Sequence, residues 1–153
     1  MLIGDTAHQN KAGDNEVQQR GGANAEYVAV RELGVIAPKP AGLTSDEATA
    51  ISDGSLLALT CLQPGYPLSG KRVLVYGAAG SVGTAATQLL AHHFEADVAA
   101  VCDTKDVELV RSLGARDVVD RLREDFTTND QTYDVIFDAV GKHSFRRCRR
   151  SLK

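Results

Sequence analysis

The 153-residue chain is 43% hydrophobic and 24% charged, the composition of a globular protein long enough for one packed core. Its net charge of −3 gives no general affinity for polyanions, which argues against a charge-driven nucleic-acid binder. No apolar run approaches the ~18 residues of a membrane span, and no charged segment followed by an apolar core opens the chain, so the expectation is a cytoplasmic protein with no membrane role.

The first twenty or so residues are polar and lack periodicity, which predicts loop or disorder. Ala25 to Val30 reads as a strand, and Gly34 to Pro40 as an extended segment ended by prolines. Thr44-Ser45-Asp46-Glu47 is a capping box, in which Thr44 caps the helix and Glu47 reaches back to it. The predicted helix covers Asp46 to Ser52, breaks at Ser52 and Gly54, and resumes over Ser55 to Leu62. Pro64-Gly65-Tyr66-Pro67 then forms a turn.

The next segment carries the most information. A β-prone run, Arg72 to Tyr76, enters the turn Gly77-Ala78-Ala79-Gly80-Ser81-Val82-Gly83, and a helix is predicted from Val82 to about His93. Val82, Ala86, Leu89 and His93 share one face of that helix. A strand–glycine turn–helix unit is what a dinucleotide pyrophosphate requires. A residue without Cβ lets the backbone approach the phosphates, another lets the helix lie close on the strand, and the first helical N–H groups point at the anion. The strict pattern G-x-G-x-x-G is broken here, because Ala78 stands where its first glycine belongs. Gly77, Ala79, Gly80, Ser81, Val82 and Gly83 are the candidate cofactor contacts; the structural alternative is a tight turn that only packs helix on strand.

A second strand covers Asp97 to Val101, and Asp103 follows it, twenty residues beyond Gly83, where a ribose-binding carboxylate belongs. Asp103 could equally cap the helix predicted over Lys105 to Leu113, which ends at Gly114. Lys105 is the nearby positive charge that would favour the 2′-phosphate of NADP, against Asp103, which disfavours it. The balance between NAD and NADP stays undecided, with a slight lean to NAD(H). Short strands follow at Asp117 to Val119 and Val135 to Phe137, and a final helix at Ser144 to Arg150. Right-handed crossovers then predict an α/β, Rossmann-type parallel sheet of order 3-2-1-4. Val140 and Gly141 follow the fourth strand at the ligand-binding end and are candidates to border the nicotinamide ribose. Asp138 lies at the same end and reads as a loop or cap residue.

Other residues read as structural. Cys61, Cys102 and Cys148 have no ligand spacing and read as small apolar side chains, so no metal site is predicted. His92 and His93 are adjacent and cannot form an i,i+4 metal pair. Phe145, Cys148 and Leu152 share a helical face, which leaves Arg146, Arg147, Arg149 and Arg150 as its solvated side.

The segments Gly22-Ala23-Asn24-Ala25-Glu26-Tyr27-Val28-Ala29-Val30, Ala37-Pro38-Lys39-Pro40-Ala41-Gly42-Leu43, Val73 to Gly83, Ser112-Leu113-Gly114-Ala115 and Tyr133 to Gly141 resemble, in order, landmarks of the medium-chain dehydrogenase/reductase superfamily, in particular its zinc-independent quinone-oxidoreductase-like branch. The resemblance implies a remnant of a GroES-like β domain over 1–43, a connecting helix and turn over 44–69, and a partial dinucleotide-binding domain over 70–153. It also implies that the sheet is incomplete and that the chain is an internal piece of a longer protein. Thr60 aligns with a threonine near the nicotinamide; a hydroxyl bonded to its own helix backbone is the alternative. The implied function is an NAD(P)-dependent oxidoreductase acting on a small quinone, enone or other carbonyl, with no catalytic residue that can be named. The competing readings are a non-catalytic NAD(P)-binding module and an inactive truncated paralogue. A methyltransferase is disfavoured by the ordered landmarks, and a short-chain dehydrogenase by the lack of Tyr-x-x-x-Lys. An apolar strand left open at the edge of an incomplete sheet predicts low stability or self-association into a homo-oligomer.

Overall fold

A computed structural model describes residues 2–4 and 37–153 of the chain. The strand expected over Ala25 to Val30, and the start of the extended segment before Ala37, lie outside the described residues. Five strands form one parallel sheet: β1 (Leu2–Gly4), β2 (Arg72–Tyr76), β3 (Asp97–Cys102), β4 (Asp117–Asp120) and β5 (Val135–Asp138). Their spatial order is β1-β5-β2-β3-β4. The order β4-β3-β2-β5 is the Rossmann order expected from right-handed crossovers. β1 is an addition, in a segment expected to be loop. It pairs with β5, with Leu2 opposite Ile136 and Gly4 opposite Asp138, and so lies along an edge that was expected to be open.

β2, β3 and β5 are buried on both faces, as their near-continuous apolar runs require. Successive side chains point to opposite faces. Val73, Val75, Val98, Ala100, Val135 and Phe137 thus enter one core, beneath Ala58, Leu62, Ala86, Leu90 and Val110 from the helices. Leu74, Ala99, Val101 and Ile136 enter the other, with Phe126, Tyr133 and Cys148.

The first helix, α1 (Ser45–Leu62), begins on the expected capping box: Thr44 N–H donates to Glu47 at 2.8 Å, and Glu47 N–H donates to the Thr44 hydroxyl at 3.2 Å. It runs without the break expected at Ser52 and Gly54. Gly54, Ala58 and Leu62 are its buried residues, so Gly54 is a contact surface rather than an interruption. The apolar residues off that stripe, Ile51, Leu56 and Leu57, are exposed.

α2 (Ser81–Gln88) is shorter than expected and passes into a π-helical turn, Leu89–His93, in which Phe94 N–H reaches Leu89 O at 2.9 Å. Its buried residues are Gly83, Ala86 and Thr87, continued by Leu90, a face displaced from the one expected, and His93 is exposed. The displacement follows from Gly83, whose bare Cα is the point of closest approach. After a 3₁₀ turn at Thr104–Asp106, α3 (Val107–Ser112) closes against Gly114. The last helix, α4 (Phe145–Cys148), tightens into a 3₁₀ turn at Arg149–Ser151, so Cys148 and Ser151 point inward and Phe145 is 60% exposed rather than buried.

Candidate cofactor site

In a parallel sheet all the carboxyl ends lie on one edge, and four of them build this site. Gly77 follows β2, Asp103 follows β3, Arg121 follows β4 and Ala139 follows β5. The turn after β2 is tied to both neighbours: Gly77 and Ala78 N–H donate to Val101 O at 3.1 and 3.0 Å, and Ala139 N–H donates to Tyr76 O at 3.1 Å. Gly77 has φ +77°, a left-handed conformation that a side chain disfavours. A Cβ there would also lie 2.4 Å from Val140 Cγ2, so Val140 lies across the turn.

The three turn glycines have different reasons. A Cβ at Gly83 would stand 2.1 Å from Gly77 O and 2.8 Å from Ala78 Cα, so this glycine is required for α2 to lie against the turn. Among the described residues, chain neighbours aside, a Cβ at Gly80 would meet only Gly77 O, at 3.4 Å. Protein packing therefore does not demand glycine at 80; open approach for a ligand is what it provides. Gly80 is the N-cap of α2 and gives no side-chain bond to the helix. Its own N–H donates to Gly77 O at 3.0 Å. The first-turn N–H groups of Ser81, Val82 and Gly83 have no partner within the helix and carry the positive end of its dipole. Ala79 and Val82 pack against the core below, while Gly80 and Ser81 are exposed. A cradle of this shape, free of side chains and lined by unsatisfied donors, fits a pyrophosphate.

Gly54 belongs to the same geometry and was not anticipated in that role. A Cβ there would meet Ser81 Oγ at 2.5 Å and Ser81 O at 2.8 Å, so α1 is seated against the first residue of α2. A mid-helix glycine reads equally as a breaker or a close contact, and only the packing separates the two. Gly54→Val is expected to lower stability by about 2 kcal/mol, because Ser81 backbone must give way. It should also weaken ligand binding at the α2 N-terminus. Urea unfolding and a cofactor titration check both effects.

Thr60 does not join this group. Its hydroxyl donates to Leu56 O at 2.8 Å, and it lies six residues beyond Gly54, about 9 Å along the helix. Val140 and Gly141 do join it. They sit in a loop held by Asp138, which is fully buried. Asp138 Oδ1 accepts the Val140 and Gly141 N–H groups, each at 3.0 Å, and Oδ2 accepts His143 N–H at 2.7 Å. Asp138 is thus a loop pin.

Asp103 occupies the N-cap position of the turn at Thr104–Asp106 but makes no side-chain cap bond. It is held instead by Arg121, whose Nη2 lies 3.0 Å from Oδ2 and whose Nε contacts Oδ1. The bond to Asp103, and then its charge, raise the Arg121 pKa further. Lys105, the cation expected to matter, is exposed and makes no ion pair among the described residues. It is therefore not the only positive charge beside Asp103. Arg121 was missed because it lies eighteen residues away; the available signal was that both residues directly follow neighbouring strands. Burial, then the carboxylates of Asp106, Asp120 and Asp103, push the Cys102 thiol up, which disfavours a thiolate there.

A cleft of about 320 Å³ opens at the same end of the sheet, among Tyr76, Phe126, His143, Arg121, Arg123 and Arg147. Each of its arginines is paired, with Asp103, Asp120 and Asp125 respectively, so it offers no uncompensated cation for an anion. Among the described residues no group of three His, Cys, Asp or Glu side chains could hold a metal, and no helix is long and apolar enough to cross a membrane.

No protein-family model matches the chain. It is 40% identical over 122 residues to a 2-methylene-furan-3-one reductase of Solanum lycopersicum, covering 79% of this chain and 31% of that protein. It is 38% identical over 125 residues to a chloroplastic NADPH-dependent alkenal/one oxidoreductase of Arabidopsis thaliana, covering 78% of this chain and 31% of that one. The fold matches the quinone oxidoreductase of Thermus thermophilus, a protein also solved in complex with NADPH. The TM-score is 0.64 at 27% identity, over 74% of this chain and 39% of that one. The chain spans about a third of the length of the curated relatives it matches. With the sheet order, the turn between β2 and α2 and these likenesses in agreement, the chain belongs to the medium-chain dehydrogenase/reductase superfamily.

Proposed function

We propose that this chain binds NAD(P)(H) and forms the cofactor-holding part of an oxidoreductase that reduces small enones, quinones or related carbonyls. The observation that carries the reading is the cradle at Gly80, open to a ligand although packing does not require a glycine there. In it the Ser81, Val82 and Gly83 N–H groups hold the pyrophosphate, Asp103 and Arg121 face the adenosine ribose, and Val140 and Gly141 border the nicotinamide ribose. A bound reduced nicotinamide supplies the hydride. The residues of the chain bind and orient, and none of them is assigned proton transfer.

The names of the relatives support the substrate class and the use of NADPH by such proteins. The slight lean to NAD rested on a free Asp103 and loses its basis with that carboxylate paired. Association with a second copy through β5 loses its motivating observation as well, since β1 pairs along that edge. A cytosolic setting is our reading, with the chloroplast named for the Arabidopsis relative as the competing compartment.

Fluorescence titration of NADH and NADPH tests the binding, and turnover of a quinone and an enone tests the activity. Binding with turnover supports the oxidoreductase. Binding without turnover favours the non-catalytic module, and no binding rejects both.

A further inference from the structure

We propose that Arg121 is the residue that sets cofactor choice, by holding the carboxylate that would otherwise exclude a 2′-phosphate. The proposal rests on the dinucleotide reading above. β3 and β4 are parallel neighbours with Cys102 opposite Asp120, so the next residues, Asp103 and Arg121, meet across the strand ends. Arg121 N–H donates to Cys102 O at 3.0 Å, which fixes its backbone beside Asp103. The guanidinium then donates one hydrogen bond to Oδ2 and holds Oδ1 in ion-pair contact through Nε, which leaves Oδ1 buried without a hydrogen bond of its own.

An unpaired carboxylate after this strand accepts the ribose hydroxyls of NAD and repels the 2′-phosphate of NADP. Here Oδ2 already accepts a hydrogen bond from Arg121, and the ion pair compensates the charge of the carboxylate. Of the other two carboxylates nearby, Asp106 and Asp120, the latter is compensated too: Asp120 accepts from the Thr104 hydroxyl at 2.5 Å and pairs with Arg123 at 3.3 Å. Arg121 and Asp103 side chains are 44% and 28% exposed, so a ligand can reach the pair and exchange partners with it. The site therefore tolerates both cofactors, and its preference is set by the pair rather than by Asp103 alone.

The test is the ratio of the NADPH and NADH dissociation constants, measured on the full chain by fluorescence titration at fixed salt. A ratio cancels general damage to the fold. Arg121→Ala bares Asp103 and should raise the ratio by about tenfold; Asp103→Ser frees Arg121 and should lower it by about tenfold. The double variant should return close to the parent, and Lys105→Ala should move the ratio less than Arg121→Ala does. If both cofactors bind and neither Arg121→Ala nor Asp103→Ser moves the ratio, or if Lys105→Ala moves it more, the proposal is overturned and the dinucleotide reading stands. If the parent chain binds neither cofactor, the dinucleotide reading fails, and the proposal fails with it.

Discussion

Gly83→Ala is expected to destabilise the fold by about 2 kcal/mol. The added Cβ would sit 2.1 Å from Gly77 O and 2.8 Å from Gly77 C and Ala78 Cα, all backbone atoms of a turn that the sheet holds from both sides. Overpacking of this kind costs about 3 kcal/mol, and the better helix propensity of alanine returns only about 1 kcal/mol, so the clash wins. In a chain of this size that corresponds to a fall in Tm of about 6 °C. Gly83→Val should go further, since it adds bulk and regains less propensity. Thermal melting followed by circular dichroism checks the result; a Gly83→Ala protein as stable as its parent would show that α2 does not press on the turn.

Asp138→Ala carries the second large effect, a loss of about 3 kcal/mol, because three N–H groups lose a buried charged acceptor together. The Val140 to His143 loop should loosen, and cofactor binding should weaken with it. Asp138→Asn separates the two contributions. Its oxygen can still accept from Val140 and Gly141, while its amide faces His143 N–H, so the loss should fall to about half. Urea unfolding with a parallel titration of reduced cofactor measures both. Equal losses for Asn and Ala would contradict the assignment of the two oxygens.

The parts of the fold legible in the sequence were those with a local signature. Arg72 to Tyr76 alternates between two cores, the turn after it is rich in glycine, and Thr44 and Glu47 lie at capping-box spacing. The illegible parts depended on contacts between segments. Gly54 looked like a helix break because its partner, Ser81, is distant in sequence. Asp103 looked free because Arg121 reaches it only once β3 and β4 pair. Phe145 looked buried because an α-helical period was extended across a turn that tightens to 3₁₀ at Arg149. β1 had no signature, since its three residues precede a polar segment. Thr60 was placed by alignment alone, and its hydroxyl makes the bond to its own helix backbone that was the alternative reading.

The most direct test of the central claim, that the turn at Gly80 receives a dinucleotide pyrophosphate, is the affinity of Gly80→Val for reduced cofactor, measured beside its melting temperature. Among the described residues, chain neighbours aside, a Cβ at this position meets only Gly77 O, at 3.4 Å, and an N-cap change of this kind costs about 1 kcal/mol, so Tm should fall by about 3 °C. Binding should weaken by more than about tenfold, above ~1.4 kcal/mol, because the side chain occupies the approach of the phosphates. A folded Gly80→Val protein that binds NADH and NADPH as tightly as its parent would contradict the claim.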